Sequence, residues 1–300
     1  MADEVELIHP KPVPRVGTWV WAGVVTVLVA MLIHGLVTNP NYRWDIVRQY
    51  LFDPLVISGV GWTLALTVGA MFIGIVLAIA AAIMRQGKNP ILRGVAWVYI
   101  WFFRGTPIYT QLVFWGLLSV LYPRLSLGIP FGPEFFVFNT QDVINAMVAA
   151  LLGLGLNEGA YLSEIVRSGL NSVDKGQWEA ATALGMKRST TLWRIILPQA
   201  MRVIIPPTGN ETISMLKTTS LVLAVPFTLE LTFVTNAIGN KTFLPVPLLI
   251  VAATWYLTIT SILMVGQARL EAHFGKGFDE VAGKPSGDKA TDTQFLDVTP

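Results

Sequence analysis

At 300 residues the chain has roughly the length of two soluble domains, but 53% hydrophobic against 13% charged residues and a mean hydropathy of +0.58 describe a polypeptide solvated by lipid. A soluble enzyme is largely excluded. Without cysteine there is no disulfide framework, thiolate nucleophile or cysteine metal site, His9, His34 and His273 lie too far apart to form a ligand cluster, and a net charge of +2 gives no attraction for nucleic acid.

The first apolar run, about Thr18 to Val37, is roughly 20 residues long, enough to cross a hydrocarbon core of about 30 Å. Lys11 and Arg15 precede it as in a signal peptide, yet Thr38, Asn39, Pro40 and Asn41 follow where a small-residue cleavage site would stand, so it reads as a retained anchor. Leu55 to Met84 is free of charge over about 30 residues and predicts a second, tilted span in which Gly61, Gly69 and Gly74 allow close packing. Arg85 to Pro90 is a basic turn. Ile91 to Tyr122 is too long for one crossing, and Arg104, Gly105, Thr106 and Pro107 supply a break. Ile91 to Phe103 is expected along the interface, anchored by Trp97, Tyr99 and Trp101, with a third crossing from Thr106 to Tyr122.

Tyr122 to Val143 is rich in Pro and Gly and reads as an external loop, followed by a fourth span from Val143 to about Arg167. Gly169 to Arg202, with Lys175, Lys187, Arg188, Arg194 and Arg202, must lie outside the membrane. A fifth span, loosened at its start by Pro206 and Pro207 and at its end by Pro226, is expected to run to about Asn236, and a sixth from about Phe243 to Val265. From Arg269 the chain is polar, and residues 275–300 have the composition of disorder. Three parts result: residues 1–54 with the additional helix, a transmembrane domain over 55–268 with a loop at 169–202, and a polar tail over 269–300. Lys and Arg concentrate at the N-terminus, the Arg85–Arg93 turn, the long loop and the tail, which makes that side cytoplasmic and places both termini inside.

Within the long loop, Glu179, Ala180 and Ala181 are followed after three residues by Gly185 and after nine more by Ile195, Ile196, Leu197 and Pro198. Asp174 can cap a helix running to Leu184, Gly185 can take the left-handed conformation that ends it, and Ser189 can cap a second helix running to Pro198. The spacing resembles the EAA signature of permease subunits in ATP-binding-cassette (ABC) importers. Arg104-Gly-Thr-Pro107 with Gln111 and Leu112, Gly159-Ala-Tyr-Leu-Ser-Glu164 with Arg167, Gly176 and Gln177, and Leu216-Lys-Thr-Thr-Ser-Leu221 are similar to the polar amino acid (histidine, glutamine, arginine, glutamate) subfamily. These matches cover about Leu55 to Leu270, and the first 54 residues lie outside the family's five-span core. Thr218 and Thr219 stand where many members carry an acidic residue and a threonine.

The resemblance implies an all-α membrane protein with the MetI-like type I importer fold, about six spans, in the cytoplasmic membrane of a prokaryote. The first loop helix is then the coupling helix that docks in a groove of the ATPase, with Glu179, Ala181 and Gly185 on the contact. Trp178 and Leu184 offer apolar anchors, and Ala180 and Ala181 permit close approach. It also implies an ATPase dimer, a second permease chain, identical or homologous, and an extracytoplasmic solute-binding protein. No nucleotide-binding Gly-x-x-x-x-Gly-Lys-Ser/Thr loop occurs; Gly239-Asn-Lys-Thr lacks the preceding glycine. ATP and magnesium are expected in the separate ATPases, and no cofactor on this chain.

Charge inside a span costs about 2.5–3.5 kcal/mol at mid-helix, so each such residue requires a partner or a purpose. Asn157 and Glu158 fall near the middle of the fourth span; Glu164 and Arg167, three apart, are expected to pair. The fifth span carries Asn210, Glu211, Ser214, Lys217, Thr218, Thr219 and Ser220. Asn157, Glu158 and Thr218 to Ser220 are therefore expected on the substrate path, with Glu164 nearer the cytoplasm and Lys217 or Glu211 pairing across to the fourth span. The competing reading is an interhelical polar network without substrate contact. A mid-span glutamate favours an ammonium or cationic side chain and Lys217 a carboxylate, which together predict a polar amino acid. An ion-gradient-driven secondary transporter of small polar solutes also uses broken spans and acidic residues, but leaves the Glu179 to Pro198 pattern without a role.

Overall fold

The computed structural model describes residues 16–274; the expectations for Lys11 and Arg15 and for the tail over residues 275–300 lie outside the described residues. Helix α1 (Val16–Thr38) has no buried residue over Gly17–Thr38 and is held at its end by Trp44 Nε1, which donates to the Leu36 carbonyl at 2.8 Å. A 3-10 turn capped by Asn39 leads to α2 (Trp44–Tyr50), which packs through Val47 against Val251 and Ala252. Helix α3 (Pro54–Gln86) starts where the Asp53 side chain accepts from the Leu55 N–H at 2.8 Å, and α4 (Pro90–Gly105) starts at an Asn89 cap of the same kind.

Here the structure departs from expectation. Helix α4 does not lie along the interface: Ala96 and Ile100 are buried, and the Tyr99 hydroxyl donates to the Leu156 carbonyl, halfway along the fourth span, at 2.8 Å. The exposed Trp97 and Trp101 stack with ring centroids 6.0 Å apart. Apolar residues line two sides of this helix, so it can bury one and offer the other to lipid. After the break at Arg104–Pro107, α5 (Ile108–Gly116) and α6 (Leu118–Leu121) complete the crossing.

The segment after α6 contains an antiparallel hairpin, β1 (Arg124–Gly128) with β2 (Glu134–Asn139), and a short α7 (Thr140–Val143). Helix α8 (Ala146–Asn171) follows, capped by Asn145, and is the centre of the bundle, packed on α3, α4 and α5. It approaches α3 closely: a Cβ at Gly159 would fall 3.2 Å from the Gly74 carbonyl and 2.8 Å from Leu77 Cβ, so only glycine admits this separation.

The loop over residues 169–202 holds α9 (Lys175–Ala183) and α10 (Arg188–Thr191). Ser189 caps neither. The second helix starts after Lys187, passes through a π-turn at Leu192–Ile196, and continues without interruption as α11 (Leu197–Thr218). Pro198, Pro206 and Pro207 thus lie within one continuous helical run rather than at its ends. The break in the fifth span falls at its other expected proline, Pro226, in the turn that joins the 3-10 segment Thr219–Ala224 to α12 (Leu231–Thr242). Met215, Val222 and Val225 pack with Leu66, Ala70 and Met71 in the main core, while Leu231 packs with Val56. Helix α11 is about 33 Å long, and α12 follows it after the 3-10 break. Helix α13 (Pro245–Phe274) closes the bundle and continues past Arg269, so residues 269–274 are helical rather than tail.

Four helices, α1, α3, α8 and α13, are long and apolar enough to cross a membrane alone. The other two crossings are the interrupted pairs α4–α5 and α11–α12.

Candidate functional site

The interruption between α4 and α5 opens beside the middle of α8, opposite the last turns of α11. Where α4 ends, its last carbonyls have no helical partner, and the buried amides of Asn157 and Gln111 satisfy them. Asn157 Nδ2 donates to the Phe103 carbonyl at 2.8 Å and to Gln111 Oε1 at 3.2 Å. Gln111 Nε2 donates to the Phe103 and Thr106 carbonyls at 3.0 and 3.1 Å and to Thr106 Oγ1 at 2.8 Å. Asn157 therefore clamps the break in addition to lining the space next to it.

That space is an open cavity of about 560 Å³ lined by Arg104–Ile108, by Asn157, Glu158 and Tyr161 of α8, and by Glu211, Ser214, Met215 and Thr218 of α11. Glu158 is 4% exposed, its Oε1 has no hydrogen-bond partner among the described residues, and its stem packs where a Cβ at Gly74 would lie 2.9 Å from Glu158 Cγ. Glu211 supplies a second carboxylate from the facing helix, and the Arg104 guanidinium lies 5.2 Å from the centroid of the Tyr161 ring. The cavity thus presents two acids and one base, in a volume suited to a small polar solute.

Of the residues expected on the path, Asn157, Glu158 and Thr218 meet here. Lys217 does not: it is exposed on a separate cavity between α11 and α13 with Asn210, Gln267 and Glu271, and forms no ion pair with α8. Thr219 is fully buried and donates to the Leu216 carbonyl at 2.7 Å, and Ser220 to the Lys217 carbonyl at 2.7 Å, so both hydroxyls serve the end of α11. Glu164 pairs with Arg167 at 2.7 Å, as its spacing indicates, and also with Arg85 of α3, and it borders a side cavity with Trp97 and Trp101.

Arg104, Tyr161 and Glu230 carry more than sequence reasoning assigned them. Tyr161 stands three residues after Glu158, hence on its face of α8. Glu230 is fully buried: it accepts from Thr63 Oγ1 at 2.8 Å, from the Thr232 N–H at 2.7 Å and from the Tyr256 hydroxyl, tying α3, α12 and α13 together. Its position directly before an apolar helix, where an acidic residue caps, was the available signal.

In the loop, Asp174 Oδ1 accepts from the Gly176 N–H at 2.6 Å and begins α9. Gly185, at φ +69°, ends it: Met186 N donates to the Ala181 carbonyl at 3.0 Å and Gly185 N to the Thr182 carbonyl at 2.9 Å, the paired bonds of a Schellman cap. Glu179, Ala180, Leu184 and Gly185 are exposed, Leu184 at 80%. Ala181 is 1% exposed, and Trp178 packs with Val173, Ile196 and Ala200 while its ring centroid lies 5.9 Å from the Arg188 guanidinium. These two residues attach α9 to its own chain, so the expectation that the Ala181 side chain contacts a partner is corrected.

Residues 70–276 match the family described as binding-protein-dependent transport system inner membrane component. The arginine transport system permease protein ArgU of Corynebacterium glutamicum is 53% identical over 271 residues, 90% of this chain and 84% of that protein. The L-cystine transport system permease protein TcyB of Bacillus subtilis is 39% identical over 178 residues, 59% of this chain and 68% of that one. A crystal structure of an amino acid ABC transporter with histidines aligns with a TM-score of 0.63 at 32% identity, over 76% of this chain and 98% of that one. The inward-facing MetNI methionine ABC transporter aligns at 0.55 over 73% and 96%, and at 16% identity this concerns the fold alone.

Proposed function

The chain belongs to the family of binding-protein-dependent transport system inner membrane components and is a membrane-spanning permease subunit of an ATP-driven amino acid importer; from that premise we propose that its cargo is a cationic amino acid, arginine or a close analogue. Hydrolysis belongs to separate ATPase subunits. The charge pattern of the central cavity carries the reading. Glu158 and Glu211 face a cationic side chain and an α-ammonium, and Arg104, in place of Lys217, meets the α-carboxylate. The name of the Corynebacterium relative agrees with that choice.

The ATPases form a dimer, one protomer docking on the outer face of α9 through Glu179, Ala180, Leu184 and Gly185. Trp178 and Ala181 pass its displacement to α11. A second permease chain, identical or homologous, completes the pore, and a solute-binding protein delivers substrate from outside. The subunit resides in the cytoplasmic membrane with both termini inside, an orientation supported by its Lys and Arg distribution. ATP with its magnesium stays on the ATPases, and this chain holds no cofactor.

Uptake of labelled arginine into proteoliposomes containing the whole complex, with ATP on the ATPase side and the binding protein on the other, tests this reading. Lysine and arginine should compete, and glutamate should not. Equal competition by glutamate or a neutral amino acid overturns the choice of cargo.

A further inference from the structure

The hairpin outside α8 is not accounted for by transport or coupling. Its base is fixed to the outer end of a span: the Thr140 N–H donates to the Pro123 carbonyl at 3.0 Å and the buried Thr140 hydroxyl to the Tyr122 carbonyl. From there it projects past the bundle. The pairing Leu125↔Phe138 and Leu127↔Phe136 puts four apolar side chains on one face, the inner pair half-buried and the outer pair exposed. Arg124, Ser126, Asn139 and the exposed Val137 occupy the other face, where Ser126 Oγ donates to Glu134 Oε1 at 2.9 Å.

The apex adds an independent observation. The Gly132 N–H donates to the Ile129 carbonyl at 2.8 Å, closing a turn whose third residue, Phe131, has φ +64°. That position favours Gly or Asn, and a bulky aromatic there is held against steric cost. Phe131 is fully exposed, beside exposed Ile129. Among the described residues nothing covers this strained aromatic at the tip of the projection.

We propose that this hairpin is a membrane-interface anchor, with Leu127, Phe136, Ile129 and Phe131 immersed in the outer leaflet and the Arg124–Ser126–Glu134 face in water. Lipid is the occupant that fits. The apolar set has no hydrogen-bonding side chain, whereas specific protein interfaces carry about one hydrogen bond per 100–200 Å². It is also continuous with the exposed Val120, Leu121 and Tyr122 at the end of a lipid-facing span, and aromatic residues at that level form the interfacial belt. The proposal rests on the reading that this loop is extracytoplasmic.

The chain contains no cysteine, so a single introduced cysteine can be spin-labelled on the purified permease before the ATPases are added. Phe131→Cys and Phe136→Cys, and on the opposite face Ser126→Cys and Val137→Cys, would each be labelled in this way and measured in the assembled transporter in phosphatidylethanolamine and phosphatidylglycerol vesicles. Collision with oxygen should exceed collision with an aqueous nickel complex at 131 and 136, and the order should reverse at 126 and 137. Nickel exposure at all four sites overturns the proposal, as does shielding of 131 and 136 from both reagents, the mark of a second permease or binding protein covering the hairpin. Failure of an impermeant maleimide to reach Ser126→Cys from outside the cell overturns the topological premise separately, whatever the collision rates.

Discussion

Glu158→Gln separates a substrate site from a purely structural polar network. The substitution preserves shape and keeps one hydrogen-bonding oxygen, so the packing of the Glu158 stem against Gly74 survives. It removes only charge. A hydrogen bond to a charged group contributes about 1.5–3 kcal/mol and a neutral one about 1, so the expected loss for a cationic substrate is about 1–2 kcal/mol. This corresponds to roughly 5- to 30-fold weaker apparent affinity. The assay is ATP-driven uptake in proteoliposomes with saturating binding protein, measured for arginine and for citrulline, which replaces the guanidinium with an uncharged urea of similar shape. The apparent KM for arginine should rise and the preference for arginine over citrulline should fall; Glu211→Gln should act in the same direction. Unchanged selectivity at normal protein level would refute the reasoning, and a lowered melting temperature with intact selectivity would assign Glu158 to packing instead.

Gly74→Ala should act on the same carboxylate from behind: its Cβ would lie 2.9 Å from Glu158 Cγ and 3.3 Å from the Gly159 nitrogen. Overpacking of this kind costs about 1–3 kcal/mol, read as a lower melting temperature in detergent together with reduced uptake. In the cytoplasmic loop, Leu184→Asp or Glu179→Arg should abolish co-purification of the ATPase while membrane insertion stays normal. A maleimide should label Ala180→Cys readily and Ala181→Cys poorly, since only the latter is buried. Tyr256→Phe removes a donor from buried Glu230 and should destabilise the bundle by about 1–3 kcal/mol, measured by thermal unfolding, without altering the preference for arginine over citrulline.

The parts of the fold that could be read from sequence are those set by local chemistry. Apolar length located α1, α3, α8 and α13, and Asp174 and Gly185 marked the limits of α9 because a cap and a left-handed glycine act within a few residues. Where a side chain's partner lies far along the chain, the pattern was silent. Pro206 and Pro207 look like a helix end, yet tertiary packing carries the helix through them, and Gln267 from α13 donates to the Pro206 carbonyl at 2.7 Å. Helix α4 has the aromatic content of an interfacial segment, but the Tyr99 contact with Leu156 that draws it into the bundle spans 57 residues. Lys217 shares a polar stretch with Thr218, but adjacent helical residues point about 100° apart, and only the fold decides which faces the cavity.

The same geometry explains why docking and cargo sites can communicate. Helix α9 is attached through Trp178 and Ala181 beside Ile196 and Ala200, and the helical run that begins after Lys187 continues to Thr218, bearing Glu211 and Ser214 on the cavity wall. From Ile196 to Glu211 is about 22 Å along one helix, so a displacement of α9 reaches the cavity without crossing a loop. Pro206 and Pro207 lie between these points and remove two intrahelical hydrogen bonds, which makes this stretch the most compliant of the run. Below it, a Cβ at Gly169 would collide with Ile204, so α8 and α11 are in close contact there. Above it, they separate around the cavity. In the coupling proposed above, a push at α9 would be resisted at Gly169 and accommodated at the proline pair, moving Glu211 relative to Glu158 and changing the separation of the two carboxylates proposed to hold the substrate.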